Sequence, residues 1–272
     1  GWGKCCIVGC SDLQINLKNK EVEINNQILR EGDWVTMNGT KGYLYNEKLE
    51  LVPANPDNHS EYKVLMDWAD EFRKLKIRTN AESPSDAAQA ISFGAEGIGL
   101  CRTEHMFFDE TRILAMRKMI LSENNEDRRE AVMGLLPFQK EDFKGTLTAM
   151  EGKPVTIRLL DPPLHEFITL NDKQVDELAE KIGIDPLIVR QRIASLHELN
   201  PMLGHRGCRL GIAYPIITEM QARAILEATA ELVIDGLNIL PEIMIPLVGT
   251  VTEYIDQEKV IRKVASKVEK KI

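Results

Sequence analysis

Apolar positions recur with two different periods along the chain, and the change of period divides it. Residues 15–24 alternate apolar and polar in part, at a spacing close to two, as a half-exposed strand does. Asn25-Asn26 and Asn38-Gly39 are turn signals. The second predicts a tight hairpin with arms at 32–37 and 41–45. Residues 1–54 therefore read as β-rich, with too few apolar residues for a core of their own, so they belong to a larger domain. Pro53-Ala54-Asn55-Pro56-Asp57-Asn58 has linker composition.

From residue 61 the period lengthens to that of a helix, and strand-like and helical segments follow one another. A helix is predicted over 61–74 and a first strand over 75–80. Ser83 caps the next helix, Pro84 takes its first turn, Ala87, Ala88 and Ile91 form its apolar face, and Gly94 stops it. Residues 97–101, glycine-punctuated and apolar, predict a strand buried on both faces. Residues 111–150 are mostly helical with a break at Leu136-Pro137, and Ile113, Met116, Ile120 and Leu121 keep helical spacing as core filler. Glu126 to Glu130 is a solvated charged face. A third strand spans 154–161, followed by the stiff loop 162–167. Helices over 171–183 and from 186 to about 199 are expected to cover the strand ends. Thr218-Glu219-Met220-Gln221 fits a capping box opening a helix to Asp235 and Gly236. A fourth strand at 242–246 precedes a last helix over 252–271 with Tyr254, Ile261, Val264 and Val268 in register. Repeated strand–helix units with polar strand ends are the pattern of an α/β fold, here a (β/α) barrel of which about four strands are present.

Chemistry concentrates at the strand ends. Arg102-Thr103-Glu104-His105 follow the second strand directly, and Arg158 and Asp161 close the third. Parallel α/β folds place their sites at these ends. A guanidinium there is either a fork for carboxylate or phosphate or one half of an internal ion pair, and spacing alone leaves both open for Arg102 and Arg158. His205 reads as a hydrogen-bonded loop histidine, and Arg209 as an anion contact or a surface residue. The net charge of -8 argues against a nucleic-acid partner. No apolar run reaches the ~20 residues of a membrane span, and no signal-peptide pattern opens the chain. Five cysteines, Cys5, Cys6, Cys10, Cys101 and Cys208, without a repeated Cys-x-x-Cys pair, read as free thiols of a cytoplasmic protein.

The run from Gly97 through Cys101-Arg102-Thr103-Glu104-His105-Met106-Phe107-Phe108 resembles the second-strand motif of the phosphoenolpyruvate/pyruvate domain in the pyruvate, phosphate dikinase family of phosphoenolpyruvate-utilising enzymes. Arg158-Leu159-Leu160-Asp161-Pro162-Pro163-Leu164-His165-Glu166-Phe167 and Asn200-Pro201-Met202-Leu203-Gly204-His205-Arg206 are similar to two further motifs of that family. The sister families, phosphoenolpyruvate synthase and enzyme I of the sugar phosphotransferase system, carry Arg-Leu-Glu-Phe and Arg-Thr-Glu-Phe at the first motif and are the alternatives. A non-catalytic anion-binding or assembly module is another.

The resemblance implies an architecture and a set of site residues. Residues 1–54 would be the end of the swivelling phosphohistidine domain, 55–60 a linker, and 61–272 the first half of a (β/α)8 barrel. Arg102, Arg158 and Arg206 would bind phosphoenolpyruvate or pyruvate. The parent reaction converts ATP, phosphate and pyruvate to AMP, diphosphate and phosphoenolpyruvate with magnesium. The phosphohistidine segment should precede a Gly-x-Gly-x-x stretch like Gly1-Trp2-Gly3-Lys4-Cys5, and none of the five histidines stands there. The family's metal-binding acids and catalytic cysteine also have no match. The chain is thus expected to be an internal fragment, inactive alone and self-associating, of a homodimeric cytoplasmic parent.

Overall fold

The computed structural model describes residues 5–51, 60–197 and 200–271. The start of the glycine-rich opening, the linker at 55–60 apart from Ser60, and residues 198–199 of the helix expected to end near 199 lie outside the described residues; that helix ends at Leu196, where His197 turns to extended backbone. The chain forms two compact units, residues 1–73 and 74–272.

In the first unit β1 (Gln14–Asn16), β2 (Glu21–Ile24) and β3 (Gln27–Arg30) form an antiparallel sheet in sequential order. Asn25 and Asn26 both take positive φ, 49° and 62°, and Ile24 pairs with Gln27. This is the two-residue hairpin turn that asparagine tolerates. The second hairpin departs from expectation. β4 (Thr36–Asn38) pairs with β5 (Tyr43–Tyr45), and Asn38 faces Tyr43 across a four-residue loop. The Asn38 side chain accepts a hydrogen bond from the Lys41 amide, and Gly42, not Gly39, takes the positive φ. α1 (Ser60–Phe72) buries no residue.

The second unit is a four-stranded parallel sheet, β6 (Thr79–Asn80), β7 (Ile98–Arg102), β8 (Pro154–Arg158) and β9 (Leu240–Met244), in that spatial order. α2 (Pro84–Ser92) crosses from β6 to β7, with Ser83 accepting from the Asp86 amide as its cap. Ala87 is buried, but Ala88 faces solvent, so the apolar stripe is narrower than its spacing implied. α3 (Glu110–Leu121), α4 (Asn125–Met133) and α5 (Leu136–Ala149) lead to β8, with Pro137 in the first turn of α5. α6 (Asp172–Ile182), α7 (Pro186–Leu196), α8 (Cys208–Ala213) and α9 (Pro215–Ile234) lead to β9, and α10 (Val251–Glu269) follows.

Three expectations are corrected here. α9 starts at Pro215, three residues before the supposed cap. Thr218 lies inside the helix, buried, and hydrogen-bonds Gln257 of α10 at 2.7 Å. A proline at the first helical position needs no amide partner, and it opens the helix there. In α10 Val264 and Val268 are buried as their register implied, but Tyr254 is exposed and Gln257, which meets that partner, is buried. The sheet is also not buried on both faces. Burial alternates along β8, with Val155 and Ile157 packed against Phe143, Leu147, Ala224 and Ile225 of α5 and α9. The opposite face carries Thr156 and Glu242.

Gly97, just before β7, and Gly99 within it follow from that polar face. Arg78 lies along it and reaches Thr156 (3.2 Å) and Glu242 (2.5 and 3.1 Å). A Cβ at Gly97 would stand 3.2 Å from Arg78 Cγ and 2.8 Å from the Pro154 carbonyl oxygen; one at Gly99 would stand 3.3 Å from Arg78 Cβ. Glycine leaves room for the arginine to pass. A second apolar cluster joins the helices beyond the strand ends, with Met116, Ile120, Phe167, Leu178 and Val189 buried. The core role expected for Ile113, Met116, Ile120 and Leu121 holds.

Candidate anion site at the strand ends

Arg102 and Arg158 are the last residues of β7 and β8 and face one another in register. Past Arg102 the chain enters a 3-10 turn, Thr103–Phe107, whose Phe107 is sunk in the helical core. That anchor splits the polar quartet. Thr103 and Glu104 turn inward and are buried, while His105 stays more than half exposed.

Each arginine meets carboxylates. Arg102 Nη1 donates to Glu82 Oε1 at 2.7 Å, and Glu82 Oε2 stands 2.5 Å from His105 Nδ1. Hydrogen bonding to Glu82 raises the Arg102 pKa above its ordinary value. Arg158 bridges two acids, with Nη2 2.5 Å from Glu104 Oε1 and Nη1 2.9 Å from Asp161 Oδ2. Arg206 Nη2 reaches the same Asp161 oxygen at 2.8 Å. The two readings left open for Arg102 and Arg158 are therefore compatible: the ion pairs are present, and they hold the forks at the strand ends.

Arg206 is brought in by backbone. Its Nε and the Gly207 amide both donate to the Asp161 carbonyl, at 3.2 and 3.0 Å, and the Cys208 amide donates to the Pro246 carbonyl at 2.9 Å. The segment is thereby tied to the residues after both β8 and β9. Gly207 has φ +59°, and a Cβ there would come within 3.0 Å of Leu247 Cβ and the Pro246 carbonyl oxygen. His205 stacks obliquely beside Tyr214, and Arg209 holds the Leu203 carbonyl at 2.9 Å.

Three buried atoms of this cluster have no hydrogen-bond partner: Glu104 Oε2, Asp161 Oδ1 and Arg158 Nε. Buried polar atoms are normally satisfied, so three together mark a place where solvent or a ligand completes the bonding. Cys101, adjacent in sequence, is not a candidate nucleophile. Burial pushes its thiol up to about 12, with Glu82 and Glu104 adding to the shift. Among the described residues no group of three or more His, Cys, Asp or Glu is placed to hold a metal ion. Glu82, Glu104 and Asp161 are each engaged by an arginine.

Sequence reasoning assigned no role to Glu82, and it gave Gln221 only a place in the supposed capping box. Gln221 Oε1 accepts from the Leu160 amide at 2.7 Å, and Nε2 donates to Thr103 Oγ1 at 2.9 Å. The available signal was a glutamine among Ile217, Met220, Ala224 and Ile225 on the apolar face of α9.

Fold and site together define an α/β protein with guanidinium groups at the carboxyl ends of parallel strands. Residues 56–272 match the family described as PEP-utilising enzyme, PEP-binding domain, and the chain belongs to that family. It is 52% identical over 270 residues to pyruvate, phosphate dikinase 1, chloroplastic, of Arabidopsis thaliana, covering 98% of this chain and 28% of that protein. It is 50% identical over 271 residues to pyruvate, phosphate dikinase 2 of Zea mays (98% and 30%). Pyruvate, phosphate dikinase of Clostridium symbiosum is 47% identical over 271 residues (99% and 31%). The chain thus spans about three-tenths of the length of these relatives. No helix among the described residues is long and apolar enough to cross a membrane.

Proposed function

We propose that this chain carries part of the phosphoenolpyruvate/pyruvate site of a pyruvate, phosphate dikinase, with Arg102, Arg158 and Arg206 as its anion contacts. The observation that carries the reading is the in-register pairing of Arg102 with Arg158, and the sharing of Asp161 by Arg158 and Arg206, in a cluster that retains an unpartnered buried donor at Arg158 Nε. The likeness along the chain to proteins of that name supports it. In phosphoryl transfer, charge develops on the moving phosphoryl group and on the enolate oxygen. Fixed guanidinium groups stabilise such charge without reorganising. Arg102 and Arg158 would take these oxygens, with Arg206 in support.

The sequential parallel order supports placing 61–272 as the first half of a (β/α)8 barrel, after a phosphohistidine-domain remnant at 1–54 and a linker at 55–60. Magnesium would serve the parent reaction from ligands outside this set. A homodimeric parent and a cytoplasmic location belong to the same proposal, although two relatives above differ in that one is named chloroplastic.

The test is a calorimetric titration of the chain with phosphoenolpyruvate. Weak binding near ~1 mM, about -4 kcal/mol, is expected. Arg158→Ala or Arg102→Ala should abolish the signal while the circular dichroism spectrum stays unchanged. No phosphoenolpyruvate should form from ATP, phosphate, pyruvate and magnesium. Undiminished binding in both variants would overturn the site.

A further inference from the structure

We infer that Gln221, with Thr103, is a positioning residue of the anion site: it fixes the backbone that presents Arg158 and Asp161 without touching the ligand. The inference rests on the functional reading above for its ligand, and on geometry alone for its mechanism.

Gln221 is wholly buried on the apolar face of α9, with Thr103 and Gln139 as its buried polar neighbours. A primary amide in such a place is costly unless it is bonded on both sides. The direction of its bonds is forced. The Leu160 amide can only donate, so the atom 2.7 Å from it is the carbonyl oxygen Oε1. Nε2 must then face Thr103 Oγ1, 2.9 Å away, and it stands 3.4 Å from Gln139 Oε1. Having accepted from Nε2, the Thr103 hydroxyl spends its one hydrogen on the Arg158 carbonyl, at 3.0 Å.

These two contacts grip the peptide groups on either side of Leu159. The Leu159 amide is held from the opposite direction by the Met244 carbonyl, at 3.0 Å. The segment 158–160, at the end of β8, is therefore clamped between β9 and the Gln221–Thr103 pair. Arg158 and Asp161 lie at its two ends, and Thr103 follows Arg102 directly. One amide thus links the backbones carrying three members of the ion-pair cluster. No member can be replaced by an apolar group of the same shape without leaving a buried donor or acceptor unpaired.

The test compares Gln221→Met, close in volume but without either bond, with the full unsubstituted chain. The titration with phosphoenolpyruvate should weaken at least ~tenfold, as small misplacements of binding groups do. Val264→Ala, in the α9–α10 cluster away from the site, should lower the melting temperature without changing affinity. Thr103→Val should reproduce the loss and Thr103→Ser should restore most of it, which covers the case in which Gln221→Met does not fold. A second readout needs no ligand: the Arg158 Nε–H, followed by nitrogen relaxation, should change from rigid to mobile in Gln221→Met and Thr103→Val, while that of Arg112, paired with Asp142 elsewhere, should not change. If the unsubstituted chain binds no phosphoenolpyruvate, the functional reading fails, and the relaxation comparison still decides this inference. An unchanged Arg158 signal in the folded variants would overturn the positioning role.

Discussion

Asp161 is the residue on which the cluster turns. It is buried, and one of its carboxylate oxygens serves both Arg158 and Arg206. Removing one partner of a buried pair leaves the other charge uncompensated, at roughly 3–5 kcal/mol. Asp161→Asn should therefore lower stability in a urea melt by about that much, and it should weaken phosphoenolpyruvate binding as well. A stability change under 1 kcal/mol would show that solvent already compensates both arginines. The cysteines give a second check at this scale. Cys5, Cys6 and Cys10 are exposed, while Cys101 and Cys208 are buried with thiols pushed up chiefly by burial. A thiol reagent at pH 8 should modify three groups in the native chain and five after denaturation, with Cys101 among the protected pair. At this scale the places of Arg102 and Arg158 at strand ends were readable in the sequence, and a family motif drew attention to Arg206. The roles of Glu82 and Gln221 were not readable, because each acts on a partner at least 20 residues away.

Elements are joined by glycines and by ion pairs between helices. Gly97→Ala would set a Cβ against the Pro154 carbonyl oxygen and the Arg78 stem. Strain of this kind costs typically about 1–3 kcal/mol, and a chemical melt should find the variant destabilised by that amount. Arg129 of α4 holds Glu219 of α9 at 3.0 Å, and this hydrogen bond keeps the Glu219 carboxyl below its ordinary pKa. Glu231, held between Lys140 and Lys144, and Glu242, held by Arg78 and Thr156, are lowered in the same way. A depressed carboxyl contributes stability above its unfolded pKa of about 4.3. That contribution is lost as pH falls through the lower folded value. The melting temperature should therefore hold at neutral pH and drop below about pH 4, and Arg129→Ala should flatten part of that drop. A drop of equal size in Arg129→Ala would remove this pair from the account. The helices were legible because their caps are local, as with Ser83, Asn171 and Asp185. The start of α9 was misread because Thr218-Glu219-Met220-Gln221 imitates a cap, while its threonine and glutamine are spent on partners in other elements.

For the molecule as a whole, the open question is the sheet edge. Among the described residues β6 and β9 each pair on one side only. Near β9 the apolar residues Leu240, Leu247, Val251 and Ile255 are exposed, Val251 at 73%. Unpaired strand edges beside apolar surface invite association, and each 100 Å² of apolar surface covered contributes about 2.5 kcal/mol. The chain should therefore self-associate at micromolar concentration, with light scattering after size exclusion reporting a mass above that of one chain. A strictly monomeric species with well-protected amides over 240–271 would show that this face needs no cover.

By itself the sequence determined the α/β class, the alternation of strands and helices after the linker, the Asn25-Asn26 turn, and which arginines stand at strand ends. These follow from short-range rules: period, capping, steric freedom at glycine and the placement of polar residues after apolar runs. Only the tertiary structure decided that β7 leaves its second face to Arg78, that Asp161 is shared by two arginines, and that a glutamine of α9 grips the end of β8. Arg78 crosses β7 to meet Glu242, 164 positions away, Arg206 is 45 positions from Asp161 and Gln221 is 61 from Leu160, and only the assembly of the sheet and its packing against α9 bring such partners within hydrogen-bond range.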